Sequence, residues 1–252
     1  MRALILAALL SSFPLQPPLA APTALPPLRL YHCHRATTAI VIDGRLNDPA
    51  WRAAEIATRF TDLFQKQRPV TQQTRVRLLW DEEYLYAAFS AVDNNAWATK
   101  MERDAPLWEE EVVELYLDPD GDARDYLEYE VNPLGALIDL LIPYAGAQAE
   151  WQKCARWNCA GIQAAARVFG QVADRTQRDH GWAAELAVPL SALPPQQGVP
   201  PRPGVVWRAQ FFRIDRPVGE PDPRCSSWND TPLFHLPERF GQVVFTGPQA
   251  LP

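Results

Sequence analysis

Proline is the feature that most narrows what this chain can become. Its 252 residues include 25 prolines, scattered between short apolar runs. Each lacks a backbone N–H and obstructs the preceding helical turn, so long helices are disfavoured. The runs between them read as strands: "VRLLW" (76–80), "LYAAF" (85–89), "VVELYL" (112–117), "YLEYEV" (126–131) and "WAAELAVP" (182–189). Further candidates fall at 39–44, 135–143, 162–169, 205–215, 226–228 and 242–246. Short strands about 8–12 residues apart, punctuated by Pro and Gly, describe a sandwich or jelly roll. The expectation is an all-β chain, a two-sheet antiparallel β-sandwich of jelly-roll type, in a single domain at 37–247. One helical turn is expected after Asp48, the candidate N-cap, with Pro49 at the first position.

The first residues read as an export signal. Arg2 supplies a positive start, "ALILAALLSSFPL" (3–15) an apolar core, and "PPLAAPTA" (17–24) small residues for cleavage near Ala20 or Ala21. Residues 1–21 are thus an expected signal peptide and 22–36 a Pro-rich leader. The apolar core is shorter than a membrane span requires, and Cys33 lies too far downstream to carry a lipid anchor. This predicts a periplasmic or extracellular protein without a transmembrane segment after cleavage. A formal charge of −6 argues against a nucleic-acid partner. Four cysteines in an exported chain allow disulfides. Cys154 with Cys159 would clip a local loop and Cys33 with Cys225 would join distant segments; buried free thiols are the alternative. No Cys/His spacing suggests zinc.

The most informative stretch is "WEEEVVELYLDPDGDARDYLEYEVN" (108–132). Side chains alternate along a strand, so Val113, Leu115 and Leu117 share one face, and Val112, Glu114 and Tyr116 the other. In the second arm Leu127, Tyr129 and Val131 are core-like, opposite Tyr126, Glu128, Glu130 and Asn132. A hairpin around Asp120-Gly121 must make the apolar sets coincide, because a one-residue slip would bury the carboxylates. Glu114, Glu130 and Asn132 then share a face with Trp108 at its rim. That face suits a solvated surface, a glycosidase carboxylate pair, or a sugar platform of indole, carboxylate and amide. "DPDGDARD" (118–125) is acidic enough for calcium but lacks the EF-hand order, and its Asp-Gly reads as a turn. Asp93 and the run Glu109, Glu110, Glu111 are weaker calcium candidates. Near the end, Phe234 and His235 sit in a Pro-flanked loop before the last strand, as core residues or as part of a site.

The blocks "IVIDGRLNDPAW" (40–51), "VRLLWDEEYLYAAFSAVD" (76–93), "WEEEVVELYLDPDG" (108–121), "YLEYEVNPLGALID" (126–139), "GWAAELAVPLSAL" (181–193), "VVWRAQFFRID" (205–215) and "LPERFGQVVF" (236–245), in this order, resemble the family 9 carbohydrate-binding modules. The resemblance implies a β-sandwich that binds oligo- or polysaccharide without catalysis, in the best-known cases at glucan or xylan reducing ends between two aromatic rings. It also implies structural calcium, for which Asp93 is the candidate here, and no organic cofactor. By motif, Trp108 matches the first sandwiching Trp, Glu114 a carboxylate that binds sugar hydroxyls, and Asn132 a polar contact on the next strand. Glu130 stands where a basic residue is expected. Gln210 or Arg213 falls on the strand that supplies further polar contacts. Phe234, beside His235, stands in place of the second Trp. The insertion at 144–160, with Trp151, Trp157 and two cysteines, builds or blocks one side of the site. A module without its own catalytic domain points to a separate glycosidase or a transporter as partner. Two other readings stay open: a hydrolase using Glu114 and Glu130, or a haem-binding redox module of the related sandwich type, with Met101, Lys100 or a His as axial ligand.

Overall fold

The computed structural model describes residues 26–172, 175–176 and 178–249, so the expected signal peptide lies outside the described residues. The apolar runs become β1 (Leu30–Arg35), β2 (Thr61–Asp62), β3 (Thr74–Trp80), β4 (Tyr84–Ala91), β5 (Val112–Asp118), β6 (Arg124–Val131), β7 (Leu137–Tyr144), β8 (Gln163–Val168), β9 (Trp182–Pro189), β10 (Val206–Asp215), β11 (Arg224–Ser227) and β12 (Gly241–Pro248). One short helix, α1 (Trp151–Cys154), lies in the insertion between β7 and β8.

The strands follow the order β7-β6-β5-β10-β12-β1-β3-β4-β9-β8, with β11 between β10 and β2. Strand β10 is where the two layers join: its start pairs with β12, its end with β11, and its other edge with β5. The layers close on a common core. Val113, Leu115, Leu117, Leu127 and Tyr129 enter it from one side, and Val76, Leu78, Phe89, Trp182 and Leu186 from the other. The sandwich is therefore as expected, but not purely antiparallel. β1 runs parallel to both β12 and β3. Its neighbours come from distant segments, so no tight hairpin dictates its direction. Residues 30–35 also belong to the folded unit rather than to a leader, since Tyr31 and Cys33 are buried in the core.

Residues 49–53 form the expected helical turn, of 3-10 type, but the Asp48 side chain does not cap it. Its Oδ2 accepts the Val41 N–H at 3.1 Å instead. The turn is anchored through β9. Glu185 accepts the Trp51 indole N–H at 2.9 Å on one oxygen, and the Gly44 and Asp43 N–H groups at 2.8 and 3.1 Å on the other.

All four cysteines are buried and free. Cys33 and Cys159 lie in the interlayer core, whereas Cys154 and Cys225 lie in a second apolar cluster. Each pairing expected from the sequence would have to bridge the two clusters, and neither disulfide is formed.

The hairpin of β5 and β6 fixes the site. Leu117 faces Leu127, Leu115 faces Tyr129, and Glu114 faces Glu130. The apolar sets coincide, but not through a two-residue turn at 120–121, which would oppose odd to even positions and mismatch the faces. The loop spans 119–123, and Asp118 holds it by accepting the Gly121 and Ala123 N–H groups at 3.0 and 3.2 Å. The expectation that correct register keeps the carboxylates in solvent fails. The outer face is roofed by a second apolar cluster that includes Leu107, Tyr126, Phe212 and Phe240, with Trp108, Trp151 and Phe234 packed on it.

Candidate functional site

Three carboxylates project from the outer face of this hairpin. Glu114 and Glu130 are directly opposed, and Glu128 faces Tyr116. All are buried: their exposures are 1%, 3% and 1% for Glu114, Glu128 and Glu130. One carboxylate oxygen from each lies within 4.8 Å of the other two. The Tyr116 hydroxyl donates to Glu128 Oε1 at 2.6 Å. The Oε2 atoms of all three are buried without a hydrogen-bond partner. Unpartnered buried carboxylate oxygens are costly, so this cluster needs a compensating group.

Above the carboxylates lies a cavity of about 630 Å³, lined by Trp108, Trp151, Phe234, His235, Tyr116 and all three glutamates, with Leu140 and Ile214 among the apolar contributors. Burial, then the charge of Glu128, raises the Glu114 carboxyl well above its ordinary range. Glu130 is raised likewise by burial, then by Glu114 and Glu128, against a backbone hydrogen bond from Trp108 that lowers it. His235 is pushed down by burial, partly countered by Glu128, so its ring is neutral near pH 7. Its Nδ1 lies 3.0 Å from the Tyr126 hydroxyl.

The aromatic walls come from separate segments. Trp108 sits in a 3-10 turn, Leu107–Glu109, tied down by Arg216, whose Nη2 donates to the Trp108 carbonyl at 3.1 Å. Trp151, from α1, meets Trp108 edge to face with centroids 5.0 Å apart. Phe234 packs on Phe212 of β10 at 4.8 Å. The insertion therefore builds a wall of the cavity.

Of the residues named from the sequence, Trp108, Glu114, Glu130, Phe234 and His235 converge here. Asn132, Gln210 and Arg213 do not line the cavity. Asn132 is fully buried as a turn cap: its side-chain oxygen accepts the Leu134 and Ala136 N–H groups, and its amide donates to the Lys100 carbonyl at 2.8 Å. Gln210 shares the correct face, but its amide is consumed by the backbone of Asn229 at 2.9 Å in both directions. Arg213 is opposite Val113 and so faces the inner layer; its guanidinium donates to Asp93 Oδ2 at 2.6 Å.

That pairing bears on calcium at Asp93. Asp93, Glu111 and Asp215 bring carboxylate oxygens within 4.8 Å of one another. A cation already stands among them, the Arg213 guanidinium, which also lies 3.5 Å from Asp215. Burial and the neighbouring Asp93 push Glu111 up to about 10, leaving it protonated at neutral pH. Calcium takes about six to eight oxygens, and this donor set does not fit it.

Sequence reasoning placed Glu128 on the right face without giving it a role, and named Trp151 only as part of an insertion that builds or blocks one side of the site. Alternation identifies the first. Nothing periodic identifies the second, which enters from an insertion.

The carboxylates also bear on hydrolysis. Glycosidase carboxyls flank the scissile bond, about 5–9 Å apart, with sugar between them. Here Glu114 and Glu130 are directly opposed on adjacent strands, with an oxygen of each within 4.8 Å of the other. For haem, Met101 is 73% exposed and does not line the cavity.

A family model described as "Carbohydrate family 9 binding domain-like" matches residues 42–247. No curated protein sequence matches significantly. Solved structures do. A candidate carbohydrate-binding protein from Bacteroides uniformis superposes with a TM-score of 0.65 at 17% identity, over 87% of this chain and 100% of its own. A family 9 carbohydrate-binding module from Caldicellulosiruptor kristjanssonii in complex with cellotriose gives 0.61 at 15% identity, over 89% and 98%. Such a module from the same organism in complex with glucose gives 0.56 at 17%, over 86% and 97%.

Proposed function

The chain belongs to the carbohydrate family 9 binding domain-like family, and from that premise we propose that it is an exported, non-catalytic module that binds a sugar in the cavity over β5 and β6. The observation that carries this reading is the juxtaposition of indole walls with unpartnered, buried carboxylate oxygens. A pyranose has apolar C–H faces and a rim of hydroxyl donors. Its face stacks on Trp108, with Trp151 and Phe234 closing the sides, while hydroxyls donate to Glu114, Glu128 and Glu130. The cellotriose and glucose complexes of the Caldicellulosiruptor modules support a glucose-based ligand. Such a site contributes only a few kcal/mol, roughly that of one or two stacked rings and a few hydrogen bonds.

Export is supported by the charge and apolar pattern of residues 1–21. A glycosidase or transporter on another chain is the partner such a module would serve.

Isothermal titration calorimetry tests the reading, with xylo- and cello-oligosaccharides and their reduced alditols as ligands. Binding that disappears on reduction establishes an end-binding module. Binding that survives reduction keeps the module and removes end selectivity. No heat with any sugar, at protein concentrations suited to weak affinity, overturns the reading.

A further inference from the structure

We propose that the ligand is a sugar bearing a protonated amine, a 2-amino sugar or a short oligomer of one, whose ammonium group sits among Glu114, Glu128 and Glu130. This rests on the sugar-binding reading and names the class of sugar.

Three observations lead there. The first is charge. Three carboxyls are buried at the cavity floor, and no Lys or Arg is among the residues lining the cavity. The nearest acid on the rim, Glu109, is already paired with Lys100. Neutral hydroxyls would leave these buried carboxyls protonated, whereas a bound cation is the ligand that lets them ionise in a region shielded from water.

The second is geometry. An ammonium donates three hydrogen bonds from one point. With N–H···O distances of about 2.8 Å, acceptors no more than about 5 Å apart can share one ammonium. One oxygen from each of the three glutamates lies no more than 4.8 Å from the others, so one donor group can reach all three, and each residue keeps one buried oxygen without a partner. Burial first, and then the neighbouring glutamates, raise the Glu114 and Glu130 carboxyls.

The third is the wall. Indoles attract a cation over their faces and stack on sugar C–H groups. A bare divalent ion uses neither, and it needs about six or more oxygens. The tryptophans supply none. An amino sugar uses the carboxylate floor and the aromatic walls together.

The test is calorimetry on the whole mature chain at about pH 6.5, below the usual amine pKa. The probes are the glucosamine dimer and trimer, their N-acetylated counterparts, cellotriose, and calcium chloride alone. Amine-bearing sugars are expected to bind at least about tenfold more tightly than the N-acetylated forms, the worth of one charge-assisted contact. Glu130→Gln should erase most of that difference. The comparison among ligands on the unsubstituted protein holds even if the variant folds poorly. Equal or tighter binding of cellotriose or N-acetylated sugar overturns the cation preference and leaves the sugar reading intact. Failure of every sugar overturns both. Calcium binding that the amine cannot displace overturns the amine assignment in favour of a metal.

Discussion

Trp108 and Asn132 flank the open end of the hairpin, one before β5 and one after β6, and their substitutions should behave in opposite ways. Asn132→Ala strands the Leu134 and Ala136 N–H groups, the second of them buried, and the Lys100 carbonyl. It should destabilise the fold by about 1–3 kcal/mol, read by urea denaturation, and leave the affinity of the remaining folded protein unchanged. Trp108→Ala removes a half-buried wall and no hydrogen bond of its indole. It should weaken sugar binding by about tenfold or more while shifting the melting temperature by only a few degrees. Unchanged binding in the second variant would move the site elsewhere. At this scale the sequence was legible where a residue's face decided its role. Glu114 and Glu130 were found by alternation, and Trp108 by its place at the rim. It was not legible where a local hydrogen bond captured the side chain. Asn132 and Gln210 both carry suitable amides, but their backbone partners come from turns whose geometry no strand pattern contains.

Strands β5 and β6 owe their register to the loop at 119–123 rather than to the Asp-Gly pair alone. Deleting Asp122 would leave a loop one residue shorter, which can no longer oppose Leu115 to Tyr129. One arm must then turn its apolar side chains outward. The expected result is loss of cooperative unfolding by circular dichroism. A milder test lies at the segment that Glu185 anchors. Gly44 has φ of 77°, and a Cβ there would lie 2.7 Å from the Ala166 backbone. Gly44→Ala should lower stability by about 1–3 kcal/mol, measured by thermal melting; wild-type stability would show that this close approach relaxes freely. Alternation made the two faces of the hairpin legible, but not which of them would be roofed. The roof comes from 107–108, 151 and 234, far apart in sequence, and only the sheet order brings them together.

Across the molecule, buried carboxyls make stability depend on pH in a definite direction. Glu111 rises from 4.5 to about 10 on folding, chiefly through burial and then Asp93, and Glu114 and Glu130 are raised as well. The native state therefore holds protons that the unfolded state releases. The stabilisation is complete below about pH 4.5 and is lost as pH rises toward 10, at about 1.4 kcal/mol per pH unit for each extra proton retained. The urea midpoint should fall between about pH 5 and pH 9, and Glu111→Gln, which cannot ionise, should flatten that fall. A midpoint that rises over this range would contradict the burial of these groups.

The parallel pairing of β1 with β12 has a mechanical consequence. These are the first and last strands of the folded unit, and they lie side by side, pointing the same way. Tension applied at residues 29 and 249 would drag them in opposite directions along their length, loading their shared hydrogen bonds together instead of peeling them one by one. Force spectroscopy through those two points should record a higher rupture force than pulling across the antiparallel edge of β8 and β9, whose bonds can open in sequence like a zip.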